Sequence, residues 1–388
     1  MGDLHGRETA QTGVPGLKGI RGTVSDRLLR LWYESECGIF AKAASPMLRL
    51  GSRLYEKGLR RDQERLRNRR VELPVPVVSI GNIVVGGTGK TPLVTWIGRF
   101  LLGEGHRPAI LSRGFGRSGR APGLVPSEGS VSVLSEAFGD EPVIMAGALP
   151  TVPVWVGRNR AVSGKAAISG GGIDALLLDD GFQHLSLKRD LDIVLLDCRN
   201  PFGNGRLLPA GPLREPVSSL TRADALVLTH AETEEEAVRA KAQIGGLIPQ
   251  TPIFSCRHKM SGFRIGRDSA LLSPNLLNGR RVAAFAGIAR PQSFFHHLQD
   301  LDIKVCAAFA FPDHHRYSEK DMRMIFAGAS ANRAEAVITT AKDAVRVPDD
   351  FREAVVVSEM EIDFGSDIDR FSSFLARQLS LEEESASA

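Results

Sequence analysis

Residues 79–92 read SIGNIVVGGTGKTP. A phosphate-binding loop needs backbone N–H groups turned inward, a helix N-terminus behind them and a lysine that reaches the terminal phosphates. Gly86, Gly87 and Gly89 keep the backbone clear where a side chain would block a phosphate or where φ is positive. Lys90 and Thr91 stand where the lysine and the magnesium-binding hydroxyl belong. The spacing G-x-x-x-x-G-K-[ST] also wants a glycine at position 84, and the chain has Val84. That departure is confined to the residue that opens the loop, and Gly86 and Gly87 can turn the chain a little later. Val84, Val85, Gly86, Gly87, Thr88, Gly89, Lys90 and Thr91 are therefore assigned to nucleotide phosphates. The bland alternative is a tight strand-to-helix turn with a surface lysine. Nothing in the loop says what receives the phosphate.

Phosphoryl transfer calls for magnesium, and magnesium for hard oxygen ligands. Two apolar stretches end in acid: DALLLDDG in Asp179 and Asp180, and LDIVLLDC in Asp197. Spacing does not choose between them, although the pair offers one carboxylate to the metal and one to a metal-bound water. GDEP brings Asp140 and Glu141 together, either as a plain turn or as a base and a metal contact near the γ-phosphate. FPDHHRY sets Asp313, His314 and His315 after an apolar run, where a proton acceptor can be held. Arg158 and Arg160 of GRNRA and Arg214 of LPAGPLREP are loop arginines whose guanidinium forks can bind phosphate. Surface ion pairs are the alternative for each. If His314 acts on chemistry at Lys90, two domains must face each other across a cleft whose closure excludes water.

Positioning these groups takes strands and helices in alternation. PVPVVSI precedes the glycine loop and PLVTWIGRFLL follows it with helical periodicity. RPAILS, PTVPVWV, DALLLDD, LDIVLLD and ADALVLTH read as buried strands, and an acidic helical stretch runs from Glu232 to Ala242. Such alternation implies a mostly parallel sheet covered on both faces. A second alternation follows: RVAAFAGI, PQSFFHHLQDL, KVCAAFAF, SEKDMRMIFAGA, AEAVITTA and EAVVVSEMEI. The expected organisation is an extension over 1–22, glycine-rich, polar and disordered; an amphipathic basic helical segment over 23–72; a P-loop α/β domain over 73–248; a smaller α/β domain over 249–378; and a flexible tail over 379–388. Within the helical segment, Ser45 and Pro46 suit a helix start. Leu28, Leu31 and Trp32, then Met47, Leu50 and Leu54, form apolar stripes beside a run from Arg53 to Arg70 rich in arginine. Such a segment can lie on an anionic membrane or pack as a helical hairpin with a solvated basic face.

The bulk numbers set bounds. At 388 residues, two domains are the default. A net charge of +4 is too small for a polyelectrolyte, and no nucleic-acid partner is expected. Cys37, Cys198, Cys256 and Cys306 are scattered without zinc spacing, which fits a reduced compartment. No apolar run marks a signal peptide or a membrane span.

Taken together, PVPVVSIGNIVVGGTGKTP, LSRGFGR, GDEP, GRNRA, LLLDDGFQH, NPFGNGRLLPAGPLREP, FPDHHRY and TTAKDAVRV resemble the tetraacyldisaccharide 4'-kinase family, in that family's order, over residues 74 to 346. That family's loop usually lacks the opening glycine. The resemblance implies transfer of the γ-phosphate of ATP to the 4'-hydroxyl of an acylated glucosamine disaccharide 1-phosphate, forming lipid IVA. It implies ATP and Mg2+ as cofactors, a lipid substrate, and a peripheral enzyme at the cytoplasmic face of the bacterial inner membrane. Membrane contact by residues 24–70 is thereby favoured. By the same resemblance, Lys90 would bind the β- and γ-phosphates, and Thr91, Asp179, Asp180 and Glu141 would serve the magnesium. Asp140 would accept the hydroxyl proton with His314 as partner, and Arg160 and Arg214 would meet phosphate or developing charge. Asp197 becomes structural, and Lys342 and Asp343 would lie near the nucleotide.

Two rival readings remain. A P-loop NTPase coupling hydrolysis to metal or partner delivery would release only inorganic phosphate, although only His296–His297 and His314–His315 come near a cargo cluster. A membrane adaptor with a vestigial loop would tolerate Lys90→Ala. Oligomeric state and acyl-chain preference are not encoded in these residues.

Overall fold

The computed structural model describes residues 32–33, 39–115, 117, 122–266 and 270–379, with backbone alone over 39–45. The disorder expected over 1–22, the stripe residues Leu28 and Leu31 and the tail over 380–388 lie outside the described residues.

In chain order the elements are α1 (Ile39–Arg67), β1 (Val77–Asn82), α2 (Lys90–Gly103), β2 (Pro108–Ser112), β3 (Gly123–Leu124), α3 (Val131–Phe138), α4 (Asp140–Ala148), β4 (Val154–Val156), α5 (Arg160–Ser169), β5 (Ala175–Asp179), β6 (Leu191–Asp197), β7 (Ala225–Thr229), α6 (Glu234–Gly245) and β8 (Ile253–Ser255). They continue with β9 (Arg257–Ile265), β10 (Arg281–Ala286), α7 (Pro291–Asp300), β11 (Lys304–Ala310), α8 (Glu319–Ala331), β12 (Ala336–Thr340), α9 (Ala341–Ala344), α10 (Asp349–Arg352), β13 (Val356–Asp363) and α11 (Ile368–Gln378).

Two compact units divide the chain, one spanning Gly262–Ser358 and the other the described residues up to Ser261 and from Glu359 onward. The larger unit holds an eight-stranded sheet in the order β3-β4-β2-β5-β1-β6-β7-β8. Its pairings are parallel, except for the β3–β4 edge, which is antiparallel. Central strands such as VVSIGN and ALLLD are buried at every position, as strands covered on both faces must be. β5 lies on one side of β1 and β6 on the other. The chain therefore reverses its winding at β1, and ligands of open α/β sheets bind beyond the strand ends at such a point. The smaller unit is built on a five-stranded sheet ordered β11-β10-β12-β13-β9, with its core around Phe285, Met322 and Ile325.

Three expectations change in the structure. The helix expected to start at Pro46 begins earlier, at Ile39, and carries Pro46 inside it. Proline removes one ladder N–H, and the amphipathic run on both sides sustains the helix regardless. GDEP forms the first turn of α4 instead of a loop. The smaller unit begins later and ends earlier than 249–378. β8 joins the larger sheet, and α11 packs in the larger unit, where Phe371 lies 5.5 Å from Trp96 and 5.0 Å from Phe254. Among the described residues no helix is long and apolar enough to cross a membrane.

Candidate active site

The opening valine of the glycine loop has a structural explanation. Val84 is buried and forms an antiparallel bridge with Leu213. Val85 N–H donates to the Pro212 carbonyl at 2.8 Å, and Arg214 N–H donates to the Ile83 carbonyl at 2.7 Å. The chain is thus still strand-like at position 84 and needs no glycine there. Positive φ arises later, at Gly86 (124°) and Gly89 (81°). Gly89 precedes α2, so the unsatisfied N–H groups of that helix open into the loop. Asn82 Nδ2 donates to Thr88 Oγ1 at 2.9 Å and braces the loop from the strand end. Lys90 and Thr91 begin α2.

Asp179 ends β5, and Asp180 follows in a left-handed conformation with φ 53°. That turn sends the two carboxylates into different surroundings. Asp180 lies 3.4 Å from Lys90 Nζ and accepts from Arg214 Nη1 at 3.0 and 2.9 Å. Burial opposes its charge, yet Lys90 and Arg214 prevail and hold its carboxyl below the usual range. Asp179 is 2% exposed and accepts from Ser112 Oγ at 2.9 Å through Oδ2. Its Oδ1 is buried with no hydrogen-bond partner. Burial, then the charges of Glu141 and Asp180, push its carboxyl up to about 7.

Arg160 is 3% exposed. Its Nη1 donates to the Gly157 carbonyl at 3.1 Å, and its Nη2 to the Asp179 carbonyl at 3.5 Å. Burial lowers the guanidinium to about 10, against the pull of Asp179 and Asp180. Asp140 opens α4 and accepts from Ser135 Oγ at 2.5 Å. The other strand-end acid, Asp197, sits 3.4 Å from His230 Nδ1 and 3.2 Å from Arg199 Nε.

The larger unit therefore brings Lys90, Asp179, Asp180, Glu141, Arg160 and Arg214 into one electrostatic neighbourhood. His314 belongs to the smaller unit, where Arg346 Nη2 donates to its Nδ1 at 3.0 Å. Asp343 is buried there and accepts from Gly287 N–H at 2.9 Å and Tyr317 Oη at 3.0 Å, a scaffolding role. Sequence reasoning missed Ser112, Asn82 and Glu215. Glu215 is fully buried and accepts from Gln63 at 2.6 Å, Gln183 at 3.0 Å and Arg222 at 2.9 Å. All three lie inside the quoted motifs, but Ser112 meets Asp179 67 residues away and Glu215 meets Gln63 152 residues away, while Asn82 braces Thr88 within the loop itself.

Among the described residues no group of three His, Cys, Asp or Glu side chains forms a ready cage for a metal. The donors present nonetheless suit magnesium, which binds one or two carboxylates and leaves its remaining positions to phosphate oxygens and water. The orphaned Asp179 Oδ1 is the atom that such a cation would satisfy.

A glycine loop, the helix behind it and a strand-end acid pair, all at the point where the winding reverses, place the chain among the P-loop nucleoside-triphosphate-binding proteins. Known proteins narrow this class. The family model for Tetraacyldisaccharide-1-P 4'-kinase matches residues 44–380, and the chain belongs to that family of kinases. A tetraacyldisaccharide 4'-kinase of Syntrophobacter fumaroxidans is 48% identical over 355 residues, covering 92% of this chain and 93% of that one. Its counterpart from Syntrophus aciditrophicus is 40% identical over 336 residues, covering 84% and 90%. LpxK from Aquifex aeolicus, solved in complex with ATP, superposes with a TM-score of 0.71 at 31% identity, covering 88% of this chain and 100% of that one. The family expected from the motifs is borne out.

Proposed function

We propose that the chain transfers the γ-phosphate of ATP to the 4'-hydroxyl of a tetraacylated glucosamine disaccharide 1-phosphate, giving lipid IVA, at the cytoplasmic face of the bacterial inner membrane. The observation that carries this reading is the Asp180 carboxylate between Lys90 and Arg214, directly beside the Gly86–Thr91 loop, in a member of this family.

Backbone N–H groups of the loop and of α2 cradle the phosphates, and Lys90 reaches the β- and γ-oxygens. Magnesium would be held by Thr91, Asp179 and Asp180 with help from Glu141, and would neutralise the charge of the transferring group. Arg214 meets the developing charge, and Arg160 adds positive charge from its buried seat behind β5. The Asp140 carboxylate, placed by Ser135, orients the acceptor hydroxyl and takes its proton late, with His314 as partner. A sugar alcohol need not be ionised before a loose transition state forms, so orientation is most of the task.

On α1, Met47, Leu50 and Leu54 are exposed, and Arg53, Lys57 and Arg61 are exposed beside them. That face suits the surface of an anionic membrane, where each basic residue contributes about 1 kcal/mol, and would meet the enzyme's lipid substrate there.

The test is a transfer assay with γ-labelled ATP and the detergent-dispersed disaccharide 1-phosphate. Label is expected on the lipid with wild type and to be lost with Asp140→Ala. Label appearing only as inorganic phosphate with wild type would refute the kinase reading. Equal transfer by both proteins would remove Asp140 from its role.

A further inference from the structure

The five-stranded sheet of the smaller unit ends on strands of opposite character. β9 closes one side with Arg257, Lys259 and Arg264, and its Phe263 exchanges backbone hydrogen bonds with Leu272 at 3.0 and 2.8 Å. Charge and cover are two ways in which a sheet edge is protected. β11 closes the other side and has neither. Among the described residues it pairs with β10 alone, and residues 305–311, VCAAFAF, carry no charge. The register shift with β10 falls at Val282/Ala283 and leaves the later part of β11 regular. There Phe311 N–H donates to the Ala286 carbonyl at 2.9 Å. Alternate residues of a parallel strand turn to the same neighbour. Phe309 therefore also faces β10, while Ala308 and Ala310 turn their N–H and C=O groups outward. Among the described residues no hydrogen bond reaches those groups.

Apolar surface flanks this edge. Phe309 is only half-buried, and its ring packs on Gly328 of α8, where an added Cβ would stand 2.6 Å away. Met324 lies one turn from Gly328 on the same side of α8 and is 49% exposed. Val305 and Cys306 are half-buried as well. Uncharged edge backbone beside half-exposed apolar side chains is a surface for strand addition.

We propose that β11 pairs antiparallel with β11 of a second copy, joining two five-stranded sheets across a twofold axis at Phe309. The geometry of the strand names a copy as the occupant. With the axis at Phe309, Ala308 of each chain faces Ala310 of the other. Outward groups meet outward groups, and the two residue pairs exchange two N–H···O=C bonds each. The Phe309 side chains then oppose one another as a cross-strand aromatic pair. Charge fixes the direction. Lys304 at the start of the strand and Asp313 beyond its end are both exposed, and neither makes an ion pair among the described residues. Antiparallel pairing brings each lysine to the aspartate end of the other copy, whereas parallel pairing would align like charges. The contact is isologous and closes as a dimer. The association is independent of the phosphoryl-transfer reading.

Sedimentation velocity of the full chain in detergent, over a concentration series, tests this together with hydrogen exchange. Wild type is expected to pass from monomer to dimer as concentration rises, with residues 305–311 gaining protection only in the dimer. Ala308→Pro removes an outward donor at an edge position, where proline is tolerated. It deletes two interchain bonds at once and should raise the dissociation constant about thirtyfold or more, with the urea midpoint unchanged. Lys304→Glu should weaken the dimer at low salt and much less at high salt. A wild type that stays monomeric at every soluble concentration overturns the proposal and leaves the edge to solvent or to a strand of another protein. A dimer in which residues 305–311 exchange as fast as in the monomer also overturns it, as does an Ala308→Pro chain that dimerises like wild type. If Ala308→Pro does not fold, an unchanged dissociation constant for Lys304→Glu at low salt decides against the proposal.

Discussion

Adding one methyl group at Gly89 should disable the phosphate loop, and the size of the effect can be worked out. Gly89 has φ 81°, a region that costs an L side chain about 1–2 kcal/mol. The new Cβ would also stand 2.4 Å from His258 Nε2 and 2.6 Å from His258 Cε1. Carbon contacts are comfortable only near about 3.5 Å, so the imidazole must retreat by about 1 Å. It has little room, because its ring lies 4.6 Å from that of His230, and His230 is tied to Asp197 at 3.4 Å. Overpacking of this kind costs about 1–3 kcal/mol. The sum, about 2–5 kcal/mol, would weaken ATP binding by roughly 30-fold to several thousand-fold if all of it opposes the bound loop. Titration calorimetry with ATP and urea unfolding would measure the two ways in which that energy can appear. The double variant Gly89→Ala/His258→Ala removes the overlap and keeps the backbone strain, so it should recover about 1–3 kcal/mol relative to additive single effects. Full ATP affinity and unchanged unfolding in Gly89→Ala would refute the reasoning, as would strict additivity in the double variant.

Two further outcomes concern Asp179 and Tyr55. Asp179 has a folded-state value of about 7 against about 3.9 unfolded, so its contribution to stability is complete below about pH 4 and is lost as pH rises through about 7. Nucleotide-free enzyme should therefore lose stability to urea between about pH 5 and 8 more steeply than Asp179→Asn, and equal slopes would refute this. Tyr55 Oη of α1 donates to the Arg214 carbonyl at 2.9 Å, and Tyr55→Phe removes that bond at about 1 kcal/mol. A lower kcat with an intact fold is expected; an unchanged kcat would mean that α1 does not position Arg214.

The loop, its strand and its helix were legible because their signal is local. The glycines and Lys90 lie within a few residues of each other, and the central strands are unbroken apolar runs. β9 was not legible: RHKMSGFRI is polar at many positions, and its pairing is supplied by the sheet. The boundary near residue 358 was hidden for a related reason. α11 resembles any amphipathic helix until Trp96 and Phe254 receive Phe371. Within the site, the acid pair was visible and its division was not. Ser112 and Arg214, which distinguish Asp179 from Asp180, stand 67 and 34 residues away. Arg346 lies within the motif TTAKDAVRV, yet its bond to His314 spans 32 residues, and the family resemblance singles out Lys342 and Asp343 instead.

That division bears on how the acid pair works. The two residues are chemically identical and adjacent, so only their surroundings can give them different roles. Asp180 already sits between the Lys90 and Arg214 cations, and its oxygens accept from Arg214. Its electrostatic need of a further cation is therefore smaller than that of Asp179, and its contacts would also hold Lys90 and Arg214 in register beside the loop. Asp179 faces the charges of Glu141 and Asp180 with one hydroxyl as donor and one buried oxygen unpaired. A divalent cation would reverse that local balance, because a bound ion is commonly the largest charge in such a site. Environments that drive neighbouring titratable groups apart assign their tasks. By that argument Asp179 is the carboxylate with the greater demand for magnesium, and Asp180 the one that keeps the cationic side chains where a triphosphate would meet them.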